Sequence, residues 1–116
     1  MREAVVGALR DRWPNLTIDE AGDYPTAWSL AEAGPAFCLV DLDMPGAMPV
    51  AGMTLLRARA PEAVILALTG LTDPELFRAV RACGIAEIFS KNTDAAVLIA
   101  RITDLLPELH GAEASA

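Results

Sequence analysis

Two short segments, FCLVD at 37–41 and VILAL at 64–68, carry apolar residues at nearly every position. A strand with one wet face alternates apolar and polar side chains. An unbroken run of this length belongs in a sheet covered on both faces. Around these runs the apolar spacing becomes helical. Ala4, Val5, Ala8, Leu9 and Trp13 share one face until Pro14 ends the pattern. Pro25 opens a second helix to about Ala33, closed by Gly34-Pro35. The loop GAMPVAG (46–52) leads into a short helix to about Ala60, and Asp73-Pro74 caps another to about Cys83. Thr93 or Asp94 caps the last helix, where Ala95, Leu98, Ile99, Ile102 and Leu105 form a stripe. LTIDEA (16–21) and AEIFS (86–90) are weaker strand patterns. Helices alternating with four strands predict an α/β fold, a parallel sheet between two helix layers. The chain opens on a helix where such folds usually open on a strand.

The 116 residues suit one domain, taken as 1–110, with GAEASA (111–116) as a tail or linker. Nine basic residues against 16 acidic ones give a net charge of −7, a poor balance for phosphate backbones, so no direct nucleic-acid contact is expected. MREAVVGALRDRW lacks the shape of a signal peptide, and no apolar run approaches the roughly 20 residues that span a bilayer. A cytoplasmic protein without membrane contact is expected. Cys38 and Cys83 lack metal-ligand spacing and read as buried free thiols. A hydrophobic content of 53%, high for so small a domain, suggests apolar surface covered by a partner.

Asp41, Thr69 and Lys91 fall at the C-terminal ends of three successive strands, each about one strand-helix unit from the next. That edge of an open α/β sheet is where ligands bind. Alone, each has a plain explanation: a turn aspartate, a loop threonine, a solvated lysine. Together they supply a carboxylate nucleophile with an ammonium and a hydroxyl for the oxygens of an incoming phosphoryl group.

The pattern VDLDMPG, ILALTG and IAEIFSK resembles the receiver domain of bacterial two-component response regulators, the CheY-like superfamily, over residues 2–107. The resemblance implies a flavodoxin-like sheet and a role in phosphorelay signal transduction. It makes Asp41 the phosphoacceptor, Thr69 the switch hydroxyl and Lys91 the contact to the acyl phosphate. The main-chain carbonyl of Asp43, with Asp41, would hold Mg²⁺. A sensor histidine kinase or phosphotransfer protein would be the partner. Such a domain is not an enzyme beyond its own phosphorylation and dephosphorylation at Asp41. Asn92-Thr93 after Lys91, in place of proline, is similar to receivers of helix-turn-helix transcription factors.

The sequence also departs from that family. Its acidic pair, which binds Mg²⁺ at the end of the first strand, would fall a few residues before Met1, and the strand with it. Glu3, Asp11, Asp19 and Glu20 do not match those positions. Weak or absent Mg²⁺ binding and impaired phosphorylation are therefore expected. The family's sheet order resembles 2-1-3-4-5, so losing the first strand opens the centre. Either LTIDEA moves beside FCLVD, or a second chain fills the gap in a homodimer, with exchanged elements as one route. Ile88 stands where the family carries a switch aromatic, with Phe89 beside it. Gly52 comes late, which reads as a lengthened loop and a shortened helix. Trp13, Trp28, Met44, Met48 and Met53 read as packing residues. His110 suits the negative end of the last helix and has no phosphohistidine role. The rival function is a phosphorylation-independent dimerisation or docking module.

Overall fold

The computed structural model describes residues 2–15, 17–35, 37–70 and 72–105. The elements follow as α1 (Arg2–Arg12), α2 (Tyr24–Ala31), β1 (Phe37–Asp41), α3 (Pro49–Arg59), β2 (Val64–Thr69), α4 (Pro74–Arg81), β3 (Glu87–Ser90) and α5 (Ala95–Leu105). They form two compact units, one within residues 19–91, the other drawing on residues 1–18 and 92–116. The end of the predicted last helix beyond Leu105, His110 and the 111–116 tail lie outside the described residues.

The unit within 19–91 holds a parallel sheet in the order β1-β2-β3. Phe37 pairs with Val64 and Asp41 with Leu68; Leu66 pairs with Glu87 and Thr69 with Ser90. The continuous apolar runs become strands as expected. Ile65, Leu66, Ala67 and Leu68 of the middle strand are all buried. The α/β class and the parallel sheet agree with the sequence; the count of four strands does not. Thr17–Ala21 form no strand, and Leu16 lies outside the described residues. The reason is chemical. Thr17, Asp19 and Glu20 are exposed, and pairing inside the sheet would take the carboxylates of Asp19 and Glu20 out of water at a large cost.

LTIDEA therefore does not move beside FCLVD. Among the described residues no strand pairs with the other edge of β1. The Leu42 N–H donates to the Leu68 carbonyl at 2.9 Å, which sets the phase of the ladder. In a parallel pair, Cys38 and Val40 then turn their backbone groups to β2, and Phe37 and Leu39 turn theirs to the open edge.

Helix starts follow their caps. The Asp23 carboxylate accepts the Thr26 N–H at 2.7 Å, and Asp73 accepts those of Glu75 and Leu76. Of the two candidates for the last helix, Asp94 is the residue whose carboxylate accepts the Ala96 N–H, at 2.8 Å. The third helix corrects the expectation of a long loop. It begins at Pro49, so Gly52 lies in its first turns and is buried. The position requires glycine, because a Cβ there would stand 2.5 Å from the Tyr24 ring.

Around the sheet, Tyr24, Leu42, Met53, Leu56, Val80 and Ile85 complete one core, with Trp28, Met44, Cys38, Cys83 and Ile88 packed partly against it. Both cysteines are free thiols, half-buried rather than fully so. At the opposite end of the strands from Asp41, Arg57 donates to the carbonyls of Ala60, Ala63 and Gly84. In the second unit α1 packs on α5, with Val5, Val6, Leu9, Trp13, Leu98 and Ile102 buried. The Arg12 guanidinium lies 4.9 Å over the Trp13 ring. No described helix is long and apolar enough to cross a membrane.

Candidate functional site

Parallel strands bring their C-terminal ends to one edge, so β1 delivers Asp41, β2 delivers Thr69 and β3 delivers Lys91 just past Ser90. The Lys91 backbone N–H donates to the Thr69 carbonyl at 2.9 Å, fixing where the lysine leaves the sheet. Its ammonium then reaches Asp41 Oδ2 and Asp43 Oδ2, both at 2.9 Å. These hydrogen bonds, to Asp43 first and then Asp41, raise the lysine pKa and outweigh the opposing effect of burial. Lys91 is firmly charged at neutral pH.

The other Asp41 oxygen, Oδ1, accepts the Asp43 N–H at 2.8 Å, a side chain turning back on the chain two residues ahead. Asp43 Oδ2 also stands 3.4 Å from the Gly70 nitrogen, which donates to it. Thr69, 1% exposed, is the buried polar residue at this edge. All of the sequence-predicted residues thus meet within one unit: Asp41, Asp43 and Lys91 in direct contact, Thr69 at the end of the strand between them.

Two features escaped the sequence. Asp43 was expected to contribute through its carbonyl, yet its carboxylate is the second partner of Lys91. Nothing in the spacing along the chain marks Tyr24. Its hydroxyl donates to the Leu42 carbonyl at 3.1 Å, and its N–H donates to the Pro45 carbonyl at 2.9 Å. Burial, and then the negative charges of Asp41 and Asp43, push its pKa up to about 12. Being the chain's only tyrosine, next to Pro25, was the one available hint. Trp28 bears out the packing expectation: it stacks obliquely on Tyr24, centroids 6.3 Å apart, and its indole N–H donates to the Gly52 carbonyl. Met53 is buried as expected, whereas Met48 is 76% exposed.

A hard divalent cation seeks about six oxygens, several of them carboxylate. Here Asp41 and Asp43 both already hold the Lys91 ammonium. Among the described residues no group of three or more acidic, histidine or cysteine side chains converges. This donor set does not by itself fit a tight metal site.

No family model matches the chain, and no curated protein matches it in sequence. Solved structures do resemble it. A response regulator from Burkholderia pseudomallei, solved with a phosphorylated aspartic acid, calcium ion and citrate, is 20% identical with a TM-score of 0.76; the match covers 98% of this chain and 65% of that one. This chain therefore spans about two thirds of that protein's length. The receiver domain of the response regulator NarL from Mycobacterium tuberculosis is 24% identical over 90% of this chain and 85% of that one, with a TM-score of 0.80. A CheY-like receiver domain from Methanospirillum hungatei is 14% identical over 95% and 87%, with a TM-score of 0.81. With a parallel sheet whose strand ends gather Asp41, Thr69 and Lys91, this chain has the fold of a response-regulator receiver domain of the CheY-like kind.

Proposed function

We propose that the chain is a phosphorelay receiver domain in which Asp41 accepts a phosphoryl group. The observation that carries this reading is the Lys91 ammonium, 2.9 Å from both Asp41 and Asp43 at the ligand-binding edge of the sheet. An Asp41 oxygen attacks the phosphorus of a phosphohistidine on a sensor kinase or phosphotransfer protein. The new P–O bond forms as the P–N bond breaks, and the freed imidazole takes up a proton. Lys91 then neutralises the added charge, and Thr69 contributes its hydroxyl to the phosphoryl oxygens. The chain turns over no other substrate and works in the cytoplasm.

The same reading makes the reaction slow. Mg²⁺ at Asp41 and the Asp43 carbonyl would compete with an ammonium that already holds both carboxylates. Incubation with acetyl phosphate and Mg²⁺, followed by intact mass measurement, is the test. Slow gain of one phosphate, absent in Asp41→Asn, is expected. Rapid stoichiometric gain would overturn the impairment, and gain that persists in Asp41→Asn would overturn the assignment of Asp41.

A second reading, a docking module that needs no phosphate, is favoured by the same closed ion triad, which is satisfied without a ligand. Under either reading the β1 edge, which no strand among the described residues pairs, favours a homodimer, since strand groups without a ladder invite another chain. Sedimentation showing a monomer at high concentration would refute it.

A further inference from the structure

We propose that Tyr24 is a positioning residue for Asp41, acting through the peptide that joins Leu42 to Asp43. The inference rests on the reading of Asp41 as phosphoacceptor. That peptide is planar, and its two polar ends point in opposite directions. Its carbonyl accepts the Tyr24 hydroxyl at 3.1 Å, and its N–H donates to Asp41 Oδ1 at 2.8 Å. Phenol, peptide and carboxylate therefore form one hydrogen-bonded chain, each link polarising the next. The last link is charge-assisted and directional, so it fixes the rotation of the Asp41 carboxylate and leaves Oδ2 facing Lys91.

The phenol is itself held on three sides. Its ring fills the space above Gly52, where a Cβ would lie 2.5 Å from the ring. The Tyr24 N–H donates to the Pro45 carbonyl beyond the loop. Its neighbour Pro25 closes over Gly46, where a Cβ would meet the proline Cδ at 2.5 Å and φ is +100°. The two glycines let the start of α2 sit directly against the loop after β1. Because the hydroxyl keeps its proton well above neutral pH, it remains a donor under all ordinary conditions.

Tyr24→Phe keeps the ring and removes only the donor. Trp28→Phe is the matched control: it deletes the indole bond to the Gly52 carbonyl in the same contact between α2 and α3 and leaves the Leu42–Asp43 peptide alone. In Tyr24→Phe, amide hydrogen exchange at Asp43 should quicken about tenfold beyond any change in Trp28→Phe, the factor one neutral hydrogen bond of ordinary strength supplies. The initial rate of phosphorylation by acetyl phosphate with Mg²⁺ should fall by a similar factor, with half-saturation by the donor unchanged. An Asp43 amide or a rate no different from the Trp28→Phe values overturns the proposal. If the unaltered chain takes up no phosphate at all, the receiver reading fails, and the Asp43 amide still decides what Tyr24 does.

Discussion

Asp41 and Lys91 meet as an ion pair, yet the two are held in opposite ways. The aspartate is fixed by backbone: its Oδ1 by the Asp43 N–H, that peptide by Tyr24, and Tyr24 by the glycine at 52. The lysine backbone is fixed where it leaves the sheet, at the Thr69 carbonyl, and its long, partly exposed side chain reaches the two carboxylates. One wall of the site is built from short backbone links and the other from a long side chain. Under the proposed receiver role that division suits the site, since an attacking carboxylate should not move and the counter-charge should follow the new oxygens.

The strongest way to break this comparison is at the foundation of the backbone wall. Alanine in a helix is ordinarily better than glycine by about 1 kcal/mol. At position 52 the new Cβ would strike the Tyr24 ring, so Gly52→Ala should instead lose about 3 kcal/mol in chemical denaturation. A neutral result would mean the ring gives way easily and the wall is not rigid. Next comes Tyr24→Phe, which strands the carbonyl of fully buried Leu42 and should cost about 2 kcal/mol.

Alkaline pH probes both walls together. Tyr24 and Lys91 each hold their proton more tightly in the folded chain, with pKa values raised, Tyr24 from 10.0 to about 12 and Lys91 above 10.5. The unfolded chain therefore releases protons first, and folded stability, complete below pH 10, should decline above it. Denaturation midpoints measured from pH 9 to 12 should show this fall, and Tyr24→Phe should flatten it between 10 and 12. The smallest effect belongs to the side-chain wall. Lys91→Met breaks two ion pairs in partly exposed surroundings and should change stability by only about 0–1 kcal/mol. A much larger loss would show that the lysine braces the fold and would erase the contrast.

The parts of the molecule legible in the sequence are those where one residue type has one physical use. FCLVD and VILAL read as strands and are strands, the second buried from Ile65 onward and the first fully buried only at Val40, and a parallel sheet then placed Asp41, Thr69 and Lys91 at one edge. LTIDEA alternates like a strand, but alternation says nothing of whether its carboxylates can be buried, and Asp19 and Glu20 stay in water. The start of α3 misled because glycine usually marks a loop, whereas Gly52 is small to admit a ring from another helix. The Tyr24 contact to Leu42 depends on how helix and loop meet in space, and no spacing along the chain encodes it. The Asp43 carboxylate was hidden for a similar reason, since which of two nearby acids a lysine reaches is settled by the curl of the turn between them.

Arg57 gives the sheet a mechanical character. Its guanidinium ties the end of α3, the approach to β2 and the turn before β3 through three carbonyls, an arrangement that needs a planar fork and that a lysine could not reproduce. The second and third strands are therefore clamped to each other where they begin, and what they carry at their other ends is Thr69 and Lys91.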